Sequence, residues 1–205
     1  VGGPTAEQVN SAPEFERTRE NMNEFGGCAR AGKSVRTALS ALMSKMADSQ
    51  VTGRLTSIMK KINLEDGTEA RGYRKVEIST QRNYLLGFEF DKKLSINGVF
   101  NAPYDVTHTA GRESADFIIA PFNPADLISA PSGTTHFRLI NALAVVADFV
   151  YNATTGTYEP DDIVNNELSI VEYSDYIPLN TAYAGSTLTA TLPGAPTLGA
   201  NVTVI

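Results

Sequence analysis

Between Pro13 and Ile62 apolar residues recur at helical spacing, and no other stretch of the chain sustains that period for so long. The fold must therefore open with packed helices. Ser11-Ala12-Pro13-Glu14 reads as a helix start. Ser11 as N-cap would accept from the Glu14 backbone N–H, Glu14 would reach back to complete a capping box, and Pro13 falls in the first turn, where a missing N–H costs nothing. Phe15, Met22 and Phe25 share one narrow stripe among charged and amide residues. Gly26-Gly27 follows, and each glycine weakens a helix by roughly 1 kcal/mol relative to alanine, which predicts a break or kink. Beyond it Val35, Ala38, Leu39, Leu42, Met43 and Met46 fall on one face. Asp48-Ser49 ends that helix and caps a second one, whose stripe is Val51, Leu55, Ile58, Met59 and Ile62. Two such helices joined tightly make a helical hairpin.

After residue 74 the period shortens to two. Lys75–Ser79, Leu85–Phe90, Leu94–Phe100, Tyr104–Thr109 and Asp116–Phe122 read as strands, and Pro124–Ile128 as one helical turn. Thr134–Tyr151 is a long apolar segment read as one or two strands, the second in a hairpin through Asn152–Gly156. Glu167–Tyr173 and Gly185–Leu192 alternate well. The expected class is α+β: an N-terminal helical hairpin followed by an antiparallel β-sandwich. The expected divisions are an extended arm over 1–10, a helical region over 11–73 and a β-rich domain over 74–205. A chain of 205 residues is long enough for a real core. No run approaches the ~18 apolar residues that a membrane-spanning helix needs. The chain starts at Val1 without a basic-then-apolar leader and stops on the alternating Asn-Val-Thr-Val-Ile, so a processed or shortened chain is expected.

Charge is divided unevenly. Residues 1–93 hold 15 Lys+Arg against 12 Asp+Glu, and residues 94–205 hold 2 against 11, giving net charges of +3 and −9. Opposed halves can attract head to tail between copies. The cations are interleaved with acids and carry no aromatic platform, which argues against nucleic-acid binding.

The residues that bear chemistry form no catalytic set. Cys28 is the only cysteine, so no disulfide can form within the chain, and His108 and His136 stand far apart, with no further ligands at zinc spacing. GCARAGKS, Gly27–Ser34, spells the phosphate-loop pattern GxxxxGK[ST], and LAVVAD, Leu143–Asp148, imitates its usual strand partner. That loop works only where a buried strand delivers it to a helix N-terminus. Here a polar helical segment precedes it, so Lys33 should lie inside a helix. His108, Arg112, Glu113 and Asp116 gather around a glycine turn and read as a solvated loop rather than an acid–base centre. Asn152-Ala153-Thr154 and Asn201-Val202-Thr203 fit the glycosylation acceptor pattern. No cofactor is expected.

Four blocks in order, Thr18–Leu39 (TRENMNEFGGCARAGKSVRTAL), Asp48–Thr56 (DSQVTGRLT), Leu85–Phe90 (LLGFEF) and Ala130–Leu139 (APSGTTHFRL), carry a resemblance. The chain resembles a family of uncharacterised Bacteroidota proteins marked by a TREN–EFG–AGK–R–AL block, a GFEF block and an AP-GTTHF block. The resemblance implies a bacterial source, no catalytic residues, an accidental phosphate-loop spelling, and further residues before Val1 and after Ile205.

The function expected is a structural subunit that assembles with copies of itself, in an extracellular filament or surface assembly. A virion component and a ligand-binding surface module are the alternatives. Val1, Gly2, Gly3 and Pro4 at the start, and Asn201, Val202, Thr203, Val204 and Ile205 at the end, are the candidate exchange segments, adding to a neighbour's sheet edge. Arg17, Arg19, Arg30 and Arg36 are the candidates for salt-sensitive contacts between copies.

Overall fold

A computed structural model describes residues 3–205. Val1 and Gly2 lie outside the described residues. The chain is α+β, with helices first and antiparallel strands after them. Helix α1 spans Ala6–Ser11 and is capped by Thr5: the Thr5 hydroxyl accepts from Gln8 N–H, and the Gln8 amide accepts from Thr5 N–H at 2.8 Å. The expected Ser11–Glu14 capping box at Pro13 does not form, since the Ser11 hydroxyl donates to Glu7 O at 2.8 Å. Ser11 is the last residue of that helix, so the reading of an extended arm through residue 10 is corrected. A 3-10 turn, Pro13–Phe15, leads into α2, Glu16–Ala38. Helix α3 spans Ser40–Met46 and α4 spans Val51–Glu65. Helices α2 and α4 form the expected hairpin, with α3 occupying its connection.

The expected break at Gly26-Gly27 does not occur, because α2 runs through both glycines. Packing is the reason. The inward face of α2 is Glu24, Gly27, Cys28, Ala31, Gly32, Ser34, Val35 and Ala38, nearly all small residues. They let α2 approach its neighbours closely, and that contact outweighs a weak propensity. The Phe15–Met22–Phe25 stripe leaves Met22 and Phe25 exposed to solvent. In α4 the expected stripe holds: Leu55, Met59 and Ile62 are almost wholly buried, each stabilising the fold by about 2 kcal/mol.

Between the helices and the strands lies a long irregular segment. Lys75–Ser79 contributes only a single bridge, Val76 to Phe149. Leu85–Phe90 is not a strand: a 3-10 turn at Arg82–Leu85 runs into Gly87, whose φ of +71° breaks extension. Ile96–Val99, expected as strand, is the short helix α5, capped by the Ser95 hydroxyl.

The strands are β1 Tyr104–His108, β2 Ser114–Ile119, β3 His136–Phe137, β4 Ile140–Ala147, β5 Phe149–Asn152, β6 Thr157–Pro160, β7 Ser169–Tyr173, β8 Ile177–Pro178, β9 Ser186–Thr191 and β10 Val202–Val204. A helical turn, α6, spans Pro124–Leu127 as expected. The strands divide among four small antiparallel sheets: β1-β2-β9, β10-β4-β7, β3-β8 and β5-β6.

Strand β4 joins the layers. Its even residues, Ala144 and Val146, pack into the core that holds α2 and α4, together with Val76, Ile78, Phe149 and Tyr158. Its odd residues, Leu143, Val145 and Ala147, pack against Ala115, Ala190 and Leu192 of the β1-β2-β9 side. A strand covered on both faces reads as a continuous apolar run, which is how INALAVVA reads. The main core thus spans the helical region and the β-rich region alike. A third cluster, around Phe100, Phe122, Leu139 and Ile177, closes the far end with a chain of aromatic contacts.

Candidate functional site

Strand β1 is the exposed edge of its sheet. It pairs only with β2, from Tyr104 opposite Ile119 to His108 opposite Ala115, and all five of its residues are exposed. Side chains alternate between faces. Tyr104, Val106 and His108 share the face of Ala115, Phe117 and Ile119, the face that packs inward farther along the sheet. At β1 this face extends past its cover: Val106 is 58% exposed and Tyr104 43%. The Tyr104 ring still touches Phe117 and Phe100, with centroids 5.3 and 6.0 Å away.

The backbone of β1 also has a free side. Thr109 N–H donates to Ser114 O at 3.0 Å and Ala120 N–H to Pro103 O at 3.4 Å, so odd-numbered residues direct their polar groups toward β2. By alternation, Tyr104, Val106 and His108 direct theirs away from the sheet. One of these donors is covered locally, since Val106 N–H donates to the Asp105 carboxylate at 2.8 Å. An acidic side chain folded over an edge donor is a guard against promiscuous pairing.

The C-terminal candidates lie elsewhere. Val202–Val204 is β10, already paired with β4 from Val202 opposite Ala147 to Val204 opposite Val145. Val202 and Thr203 are buried, and Ile205 exchanges backbone bonds with Ala144 at 2.8 Å in both directions. Asn201 reaches Asp161 at 3.1 Å. The expectation of a loose terminal strand is corrected: residues 201–205 are built into their own sheet. At the other end Gly3 and Pro4 are exposed, and Val1 and Gly2 lie outside the described residues.

Of the four arginines, Arg17 is exposed and pairs with Glu20 at 3.4 Å. Arg19 turns back on its own chain, donating to Val9 O and Ala12 O at 2.9 Å each, and so holds α1 against α2. Arg30 reaches Tyr158 O at 3.4 Å. Arg36 has its Nε buried without a partner. Structure does not bring these four together. Among the described residues every ion pair joins side chains within residues 17–75, and none crosses from the basic half to the acidic half.

The phosphate-loop spelling lies in the interior of α2. Gly27 and Gly32 are buried contact points, Lys33 is exposed, and the Ser34 hydroxyl donates to Asn166 Oδ1 at 3.0 Å. The group around the β1–β2 turn is dispersed. Asp116 lies on the opposite face from His108 and accepts from the Thr189 hydroxyl at 2.6 Å. Arg112, at φ +65°, donates to Val202 O and Gly199 O at 2.7 and 2.6 Å, tying the turn to the segment before and within β10.

Two of the three buried carboxylates, Glu24 and Asp148, behave in opposite ways. Glu24 on α2 accepts from Gly72 N–H at 2.7 Å, pairs with Lys60 of α4, and meets Arg74 at 3.4 Å. Burial pushes its carboxyl up, but the Lys60 and Gly72 hydrogen bonds and the charges of Lys60 and Arg74 outweigh that and hold it below the ordinary range. Lys60 also donates to Asn63 at 2.7 Å, and Asn63 in turn donates to Arg74 O at 2.6 Å, so the network ties the 66–75 segment to both helices. Asp148 is the opposite case. Burial raises its carboxyl, the bonds from Ser79 N–H and Oγ oppose this, and the charges of Glu77 and Asp161 add to the rise. Burial also pushes the Cys28 thiol up to about 12, an inert state for a cysteine.

An open cleft of about 450 Å³ is lined by Arg54, Lys61, Phe88 and Lys92. Arg54 serves the fold there, donating to Glu89 O, Phe90 O and Asp48 and lying 4.9 Å over the Phe88 ring. No three His, Cys, Asp or Glu side chains among the described residues are grouped to hold a metal ion. No helix among them is long and apolar enough to cross a membrane. The β1 edge is the feature that sequence reasoning identified as a strand but not as a surface. Its signal was Tyr and Val alternating with short polar residues, with no lysine or proline within the strand.

Comparison with family models, with curated proteins and with solved structures finds no match to this chain.

Proposed function

We propose that this protein is a structural subunit that associates with copies of itself, using the open edge of β1. One observation carries the reading: a strand exposed on all five residues, with apolar side chains on one face and outward backbone groups along its edge. Unpaired strand edges are templates for further pairing, and natural sheets usually blunt them with lysine, proline or a covering element. Here Asp105 alone guards the edge, and it occupies one donor. Terminal exchange is not part of this proposal for residues 201–205, since β10 is occupied within its own sheet.

The test is sedimentation velocity of the full chain over a wide concentration range. Association that grows with concentration supports the reading, and a single species of 22.0 kDa at every concentration removes it. Negative-stain microscopy of the associated material distinguishes a surface filament from a shell. Nuclease-protected nucleic acid in native material would point to a virion.

A further inference from the structure

The following inference rests on that self-association reading and specifies its partner surface. An antiparallel strand that adds to β1 must set its outward residues against Tyr104, Val106 and His108. When the incoming strand is β1 of a second copy, even-numbered residues must meet even-numbered ones. Three close registers satisfy this, centred on Asp105, Val106 or Thr107. Centring on Asp105 places two carboxylates directly opposite, which destabilises a pair. Centring on Thr107 leaves Tyr104 beyond the partner strand. Centring on Val106 uses the whole of both strands. It sets Val106 opposite Val106, Tyr104 opposite His108, and the Asp105 carboxylate opposite the Thr107 hydroxyl.

We infer that two copies join β1 to β1, antiparallel, about a two-fold axis at Val106. The product is a continuous six-stranded sheet in the order β9-β2-β1-β1-β2-β9. The sequence Tyr-Asp-Val-Thr-His is its own complement in this register: no like charges meet, and acceptor faces donor on the polar face. The same register covers the exposed Val106 with its twin and the exposed Tyr104 with a His108 ring. Asp105 changes partner as the contact forms. It releases Val106 N–H, which is then free to donate to the Val106 carbonyl of the second copy, and it accepts from the Thr107 hydroxyl opposite. The contact is isologous, so by itself it closes after two copies, and a filament or shell needs a second contact between such dimers.

Single cysteines in the full chain test the register. Val106 meets its twin as a hydrogen-bonded pair, with Cα atoms about 5.5 Å apart, inside the roughly 4.4–6.8 Å range of a disulfide. Cys28 is buried and does not compete. Under mild oxidation V106C is expected to form a covalent dimer about tenfold faster than D105C or T107C alone. An equal mixture of D105C and T107C should form a mixed dimer, since those positions face each other. Rapid dimerisation of D105C alone or T107C alone overturns the register. No cross-link in any variant, with unsubstituted protein still associating, overturns the β1 contact but leaves self-association standing. A monomer at every concentration removes the underlying reading instead.

Discussion

Gly27 lies beneath the ring of Tyr158, so close that a methyl group on Gly27 would stand 2.5 Å from the ring's Cγ. Tyr158 cannot yield, being buried among α2, α4 and β5, with its hydroxyl donating to Arg74 O at 2.8 Å. Gly27→Ala is therefore expected to destabilise by about 1–3 kcal/mol through overpacking. Gly32→Ala has its nearest neighbour at 3.5 Å, ordinary contact, and Gly26→Ala meets nothing within 4 Å. Those two should be neutral or stabilising by up to about 1 kcal/mol, since alanine is the better helix former. Urea denaturation of the three variants measures the difference. Equal effects at all three positions would refute close packing at Gly27.

Lys60→Met leaves the buried Glu24 carboxylate with Arg74 as its one remaining cation and should cost about 3 kcal/mol. Glu24→Gln with Lys60→Met should recover part of that loss. The Glu24 carboxyl is depressed in the folded state, so its contribution is complete above its ordinary value of 4.5 and is lost as pH falls through the folded value. Stability curves of the native protein and of Glu24→Gln should therefore converge on acidification. Parallel curves between pH 5 and pH 3 would contradict this sign, on a window of about two pH units.

Asp148→Asn should act in the other direction. Because the folded carboxyl is raised above 3.8, ionisation of Asp148 costs stability as pH rises through the folded value. The asparagine keeps an acceptor for Ser79 N–H and removes the buried charge. A higher Tm than the native protein at pH 7, with the advantage disappearing at low pH, is the expected outcome. Calorimetry at two pH values reads it.

Val106→Lys places a charge on the free edge of β1, where the side chain is mostly exposed. The fold should be unaffected, within about 0.5 kcal/mol, while association weakens. Sedimentation of this variant beside the unsubstituted chain checks it.

Arg19→Ala should free α1 without unfolding the rest, because no residue of α1 is buried and two carbonyls hold it to that guanidinium. Faster proteolysis before residue 13, at nearly unchanged Tm, is the expected result.

The helical period of α4 was legible because Val51, Leu55, Met59 and Ile62 are large and recur at the right spacing. That of α2 held at Val35 and Ala38, which are buried, and misled before them. Its buried face is built from Gly27, Ala31, Gly32 and Ser34, whose burial depends on what lies opposite, whereas its bulkiest apolar residues, Met22 and Phe25, face solvent. Hydrophobicity alone cannot reveal a face chosen for closeness. The strands from Tyr104 onward followed their alternation and turn residues, and the turn at Asn152–Gly156 was visible from its composition. Beyond that hairpin, which strand lies beside which was not visible. Val202–Val204 reads as a clean alternating strand, yet nothing in the chain's order announces β4 as its neighbour. The edge of β1 was hidden for the same reason, since being an edge is a property of the sheet and not of the segment.

Because β4 is flanked by β7 and β10, it waits during synthesis for a neighbour made near residue 204. A nascent chain that has emerged only as far as β9 holds this apolar strand with one side bare. Until β10 is made the sheet is incomplete, and the unpaired edge of INALAVVA is the segment of the emerging chain for a shielding chaperone to cover.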